Sequence, residues 1–173
     1  KPLIWDKFQL QPKNYLVLTL HRPSNVESVK SLKNYLIKIV ENSNNIPIIF
    51  PTHPRTFKNL QSMNLSFSNL YYVQPLSYLE FNFLIEKSKG VITDSGGITE
   101  ETTYMNVPCI TLRDNTERPE TIDLGTNELI GTNPDAISYA LKKLFLNQWK
   151  QGINPPLWDG KSSKRIINHL LQL

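Results

Sequence analysis

Four consecutive residues, Asp94, Ser95, Gly96 and Gly97, carry the strongest chemical signal in the chain. They stand between the apolar run GVIT (Gly90 to Thr93) and the segment ITEETTY (Ile98 to Tyr104), where a strand hands over to a helix. The chain holds only seven glycines, and two of them sit side by side at this junction. A helix N-terminus presents unpaired N–H groups and a partial positive charge, which suits a phosphate. Glycine lacks a Cβ, so an oxygen can approach such amides closely. Ser95 can cap the helix or bond the phosphate. A plain N-cap on a flexible turn is the alternative reading of the same residues. One turn further on come Glu100 and Glu101, and Glu101 follows Gly97 by four residues, on the same helix face. A carboxylate there can accept hydrogen bonds from ribose hydroxyls; an acidic first turn favoured by the helix dipole is the alternative.

A second group of candidates is HRPSN, His21 to Asn25, directly after the apolar run YLVLTL, and a third is His53 after PIIFPT. Both histidines follow strands at their carboxyl ends, which favours a place in a cleft. His169 lies on the last predicted helix and reads as a surface residue. Three histidines so far apart in sequence do not make a metal site, and neither a metal nor a cofactor is expected. The first strand is not followed by GxGxxG, which argues against a dinucleotide. Ser95 has no obvious His–Asp relay and the turn is not G-x-S-x-G, which argues against a hydrolase. The one cysteine, Cys109, falls inside the apolar run Val107 to Leu112 and reads as a buried, inert thiol.

The elements that position these residues follow from the hydrophobic pattern. Strands are predicted at Tyr15 to Leu20, Pro47 to His53, Leu70 to Gln74, Gly90 to Asp94, Pro108 to Arg113 and Asn127 to Gly131. Helices are predicted at Val26 to Glu41, Phe57 to Met63 and Tyr78 to Lys87, after Gly97, at Pro134 to Asn147, and from Ser162 or Ser163 to Leu171. Short apolar strands alternating with helices predict an α/β fold, a Rossmann-like open parallel six-stranded sheet with helices on both faces. With strand order 3-2-1-4-5-6, the loops after strands 1 and 4 flank one crevice at the carboxyl edge. His21 to Asn25 and Asp94 to Gly97 then face the same cleft.

Composition narrows the partner. Of 173 residues, 39% are hydrophobic and 20% charged, with a net charge of +4, as in an ordinary globular domain. The basic residues are scattered, so no nucleic-acid footprint is expected. An anionic small molecule held by one or two arginines fits the same balance. No apolar run approaches the roughly 20 residues that span a bilayer, so no membrane partner and a cytoplasmic location are expected. The opening KPLIWDKF, without methionine, suggests a piece of something longer.

DSGGITEE, then RDNTERPET, then GTN at Gly131 to Asn133, resemble the carboxyl-terminal half of the non-hydrolysing UDP-N-acetylglucosamine 2-epimerases. TLHRPSNVE, PTHPRT and PLSYLEF match further signatures, in order, over nearly the whole chain; some members carry HRREN where this sequence has HRPSN. The resemblance implies one half of a glycosyltransferase-B-type two-domain fold, with the active site between the halves. It implies that Arg22 contacts phosphate or neighbouring groups, that Ser95, Gly96 and Gly97 hold the diphosphate, and that Glu101 binds ribose. Asn25 joins the UDP-binding set, and uracil lies near Pro75, Leu76 and Phe81. His21, His53 and Arg118 are the implied catalytic contributions of this half, Arg118 reaching the sugar side. The family's catalytic carboxylates and lysine belong to the amino-terminal half, the expected partner domain, so this chain alone is expected to be inactive. Residues 1–148 are expected to form the UDP-binding domain, and residues 149–173 a linker and terminal helix that packs on it or on the partner half. A homodimer is expected for the full-length protein. The rival readings are the donor-binding domain of a glycosyltransferase and a UDP-sugar-binding module without chemistry.

Overall fold

The computed structural model describes residues 1–52, 56–57, 60 and 66–172. Strands β1 (Leu16–Thr19), β2 (Ile48–Pro51), β3 (Leu70–Val73), β4 (Gly90–Thr93), β5 (Cys109–Thr111) and β6 (Asn127–Leu129) form one sheet. Its order is β3-β2-β1-β4-β5-β6, and every neighbouring pair is parallel. Strand order reverses between β1 and β4, as the alternation of elements predicts. The described helices are α1 (Leu3–Lys7), α2 (Pro23–Val26), α3 (Val29–Glu41), α4 (Tyr78–Lys87), α5 (Gly96–Tyr104), α6 (Pro119–Asp123), α7 (Asp135–Phe145) and α8 (Ser162–Leu170).

Side chains alternate across each strand, and two separate cores result. Leu16 and Leu18 of β1, Ile92 of β4 and Ile110 of β5 pack with Leu32, Leu36 and Ile39 of α3 and with Ile137, Leu141 and Leu144 of α7. Val17 and Val91 point the other way and pack with Leu84 and Ile85 of α4. Burial on both faces is why these strands read as unbroken apolar runs.

Two differences from the sequence pattern have local causes. The helix predicted over Val26 to Glu41 is two helices. Pro23 opens α2, and the Ser28 hydroxyl accepts from the Ser31 amide at 3.2 Å, so a new helix begins at Val29. The opening segment forms α1, and Ile4, Trp5 and Phe8 pack on the second core. Trp5 meets Tyr15 and Phe83 edge-on, and Phe8 stacks on Tyr71 with centroids 4.5 Å apart. Helix α4 covers the predicted span, set by a capping box between Ser77 and Glu80. The helix predicted at 57–63 falls largely outside the described residues.

The chain beyond α7 behaves in two ways. Trp149 is buried and donates its indole N–H to the Thr126 carbonyl at 2.8 Å. Helix α8, in contrast, buries no residue, and Ile166, Ile167, Leu170 and Leu171 lie exposed along it. Among the described residues no helix is long and apolar enough to cross a membrane.

Candidate functional site

Strands β1 and β4 end level, Thr19 opposite Thr93, and their hydroxyls meet at 2.7 Å. The next residue of β4's loop, Asp94, is fully buried. A buried carboxylate must be paired or well hydrogen-bonded, and Asp94 takes its partners from the loop after β1. It accepts from the His21 amide at 3.2 and 3.1 Å, the Arg22 amide at 3.0 Å and the Asn25 side-chain amide at 3.0 Å. His21 Nδ1 lies 2.8 Å from Asp94 Oδ1. The Arg22 Nε donates to the Asp94 carbonyl at 3.0 Å. One carboxylate thus fixes HRPSN against DSGG and joins the two loops that flank the sheet's switch point.

The same contacts set the protonation of the pair. Burial pushes the Asp94 carboxyl up, but hydrogen bonds from His21, the Arg22 amide and Asn25 outweigh it and bring it below its ordinary value. The hydrogen bond to Asp94 raises His21 above the usual histidine value, against a smaller opposing effect of burial. With Nδ1–H directed at Asp94, Nε2 is the free nitrogen of neutral His21. A His–Asp pair therefore exists that sequence spacing hid. Ser95 does not join it: among the described residues its hydroxyl makes no hydrogen bond to His21, so the pair does not activate a serine.

Helix α5 begins at Gly96, with Ser95 as its N-cap residue but without a side-chain cap. The first amides of α5 are left without intrahelical partners. A Cβ built on Gly97 meets nothing within 4 Å, and one on Gly96 meets only Glu117 Oε2 at 3.5 Å and Arg113 Nη1 at 3.7 Å. Neither glycine has a positive φ. The protein's own packing therefore does not require these glycines; open space lies above them instead.

That space is a cavity of 310 Å³ lined by Arg22, Gly96, Gly97, Glu100, Glu117 and Arg118. Its cations are held by carboxylates. Arg118 Nε donates to Glu100 Oε1 at 2.5 Å, and the buried Arg113 holds Glu117 through two bonds of 2.8 and 2.7 Å. The Arg113 guanidinium brings the Glu117 carboxyl down to about 2. Arg22 Nη2 stands 4.0 Å from Glu117, at the edge of pairing. An anion entering here would meet α5 amides and two arginines whose present partners are exposed and exchangeable.

A second cavity, of 410 Å³, adjoins the first through Glu100 and is lined by Tyr78, Glu101, Tyr104 and Trp158 among others. Burial raises the Glu101 carboxyl, with Tyr78 and Asn82 hydrogen bonds working against it. Among the described residues the buried amide oxygen of Asn82 has no hydrogen-bond partner.

The sequence candidates are thus placed as follows. Arg22, Gly96, Gly97 and Arg118 share one cavity, and Ser95 stands at the start of its helix. Glu101 faces the neighbouring aromatic cavity. His21 borders the junction through Asp94. Asn25 is buried, and its amide donates to Asp94 and to the Leu112 carbonyl at 3.3 Å, so it braces the loop. Pro75 is exposed, whereas Leu76 and Phe81 pack against the second core; from that stretch it is Tyr78 that lines a cavity. His53 lies outside the described residues. Asp94 was singled out in the sequence with the DSGG turn but not as the brace between the two loops, and Arg113 and Glu117 were not read as site-forming residues.

Comparison with known proteins agrees with this geometry. The family model described as UDP-N-acetylglucosamine 2-epimerase matches residues 2–171. The UDP-N-acetylglucosamine 2-epimerase of Methanocaldococcus jannaschii is 42% identical over 165 residues, 91% of this chain and 44% of that protein. A UDP-2,3-diacetamido-2,3-dideoxy-D-glucuronate 2-epimerase from Pseudomonas aeruginosa is 31% identical over 92% of this chain and 45% of its own. A crystal structure of the M. jannaschii enzyme in complex with UDP-GlcNAc and UDP superposes with a TM-score of 0.79 at 38% identity, over 100% of this chain and 49% of that one. The chain thus spans about half the length of the relatives it matches, as one Rossmann-like half of their glycosyltransferase-B-type fold. By its family model and its relatives, the chain belongs to the UDP-N-acetylglucosamine 2-epimerase family.

Proposed function

We propose that this chain is the UDP-binding half of an enzyme that interconverts UDP-N-acetylglucosamine and UDP-N-acetylmannosamine. The single observation that carries the reading is the unfilled space above Gly96 and Gly97, between Arg22 and Arg118, in a chain of this family. The α5 amides and Arg22 hold the diphosphate. The nucleoside occupies the adjoining cavity, where Glu101 accepts from the ribose hydroxyls and Tyr78 contributes an aromatic wall. Arg118 exchanges Glu100 for the substrate and reaches toward the sugar.

The reaction removes the C2 proton with loss of UDP, giving a 2-acetamidoglucal; UDP then re-adds while a proton returns to the opposite face. Negative charge grows on the β-phosphate as the bond to the sugar breaks. Preorganised amides and an arginine at that oxygen favour the transition state over the ground state. They also retain UDP until it re-adds. The proton-transfer groups come from the amino-terminal half, and the exposed apolar side of α8 is where that half packs. A homodimer and a cytoplasmic location complete the proposal, both resting on the family resemblance.

Full-length protein incubated with UDP-N-acetylglucosamine in D₂O tests this by proton NMR. Deuterium entering C2 together with a UDP-N-acetylmannosamine signal is expected, with no acceptor added. UDP release that depends on an acceptor, without C2 exchange, would establish a glycosyltransferase instead. Binding without either would establish a module that has no chemistry.

A further inference from the structure

A different cavity, of 290 Å³, opens at the other edge of the sheet, where the strands begin. Lys13 precedes β1 and Lys89 precedes β4, while Lys150 follows the buried Trp149; all three line it. Asn106, Asn147 and Gln151 add side-chain amides, and among the described residues no carboxylate lines the space. The neighbouring acids are engaged elsewhere, Glu86 with Lys87 at 2.7 Å and Glu128 with Lys143 at 2.5 Å. Among the described residues, none of the three lining lysines has a carboxylate within ion-pair distance. Lys13 Nζ donates to the Glu86 carbonyl at 3.0 Å, Lys150 Nζ donates to the Ile122 carbonyl, and Lys89 lies over the Phe145 ring at 5.5 Å. Each ammonium has three donors, so hydrogens remain on all three.

We propose that this cavity is a binding site for a small multivalent oxyanion of the phosphate or pyrophosphate class. Three lysines line one space, and a multivalent anion there can draw on their remaining N–H donors through charge-assisted bonds. Lysine serves such a ligand as a point charge without imposing the bidentate geometry of arginine. The size agrees, because ligand cavities run from about 300 Å³ upward; this one suits a small anion and not a nucleotide. Burial lowers the Lys13 and Lys150 ammonium groups below their ordinary values, with Glu86 acting against it at Lys13 and Glu128 and Asp123 acting against it at Lys150. The inference does not rest on the proposed function, since none of these residues lines the Gly96–Gly97 cavity.

The test is a titration of the chain with inorganic pyrophosphate, followed by amide NMR, with UDP already saturating and ionic strength held constant with NaCl. Shifts at Asn106, Asn147 and Gln151 are expected, saturating with pyrophosphate. Lys89→Gln and Lys150→Gln should each weaken this binding by about 10-fold or more. Lys13→Gln, at an exposed position, provides a third variant should either of the others fail to fold. Shifts confined to Ser95–Gly97, shifts reproduced by NaCl alone, or unchanged affinity in folded variants would overturn the assignment. If the chain fails to bind UDP at all, the same titration without UDP still reads the lysine cavity, so the two proposals fail separately.

Discussion

At the scale of single residues, Asp94 explains more of the site than any glycine or arginine does. It faces no ligand in the proposed arrangement; it holds the His21–Arg22 backbone where a ligand can be met. Its pairing with His21 also has a defined pH signature. His21 is raised, so its contribution is fully present below the unfolded histidine value and is lost as pH rises through the folded one. Asp94 is lowered, so its contribution is present above the unfolded carboxylate value and is lost as pH falls through the folded one. The pair therefore stabilises most between roughly pH 4 and 6.5. Asp94→Asn should lower thermal stability within that window, flatten its fall on either side, and bring the His21 titration, followed by its ring protons, back toward the ordinary value. An unshifted His21 in the variant would show that Asp94 is not its controlling partner. For Arg22, Nε is fixed by the Asp94 carbonyl, which leaves the Nη groups for a phosphate. Arg22→Ala should weaken UDP by about 10- to 100-fold, the equivalent of one charge-assisted contact, and uridine far less. Equal losses for both ligands in calorimetry would remove the phosphate role.

At the scale of elements, strands β1 and β4 and the start of α5 were legible because composition forced them. Apolar runs between helical segments can only be buried parallel strands, and adjacent glycines mark the turn that follows. The helix break at Ser28 was hidden because Val26 and Val29 keep the apolar spacing across it, while a hydroxyl cap decides the boundary. For Asp94, His21 and Asn25, the strand order expected from the alternation of elements brings the two loops to one cleft, but which atoms pair across residues about 70 positions apart was illegible. The sequence singled out Gly96 and Gly97 but left open whether they serve the turn or a ligand, and the structure separates them from a packing glycine. A Cβ on Gly125 would meet Thr103 Oγ1 at 2.5 Å and the Thr121 carbonyl at 2.6 Å, whereas one on Gly97 meets nothing. Gly125→Ala should therefore lower the melting temperature, by the 1–3 kcal/mol or so typical of overpacking, and leave UDP affinity of the folded protein unchanged. Gly97→Val should do the opposite, melting close to wild type and failing to bind UDP, because its branched side chain fills the space above the α5 amides. A Gly97→Val protein that melts far below wild type yet binds UDP normally would show that the glycine serves only the turn.

At the scale of the whole molecule, the chain spans about half the length of its relatives, and among the described residues helix α8 buries none of its own. The exposed side of α8 argues that more protein meets it in the full-length enzyme. Ile166→Glu should cost this chain little, since Ile166 is 59% exposed, but should lower the melting temperature of the full-length protein. Equal melting shifts in both would mean that α8 contacts nothing further. The proposed nucleotide site, in contrast, is lined by residues of this chain and can be tested on it alone. The most direct measurement is a calorimetric titration of this chain with UDP, UMP and uridine under identical conditions. UDP should bind most tightly, with uridine weaker by about 10-fold or more, because the phosphates meet the α5 amides and Arg22. Uridine binding as tightly as UDP, or no UDP binding at millimolar concentrations, would contradict a diphosphate cradle at Gly96 and Gly97.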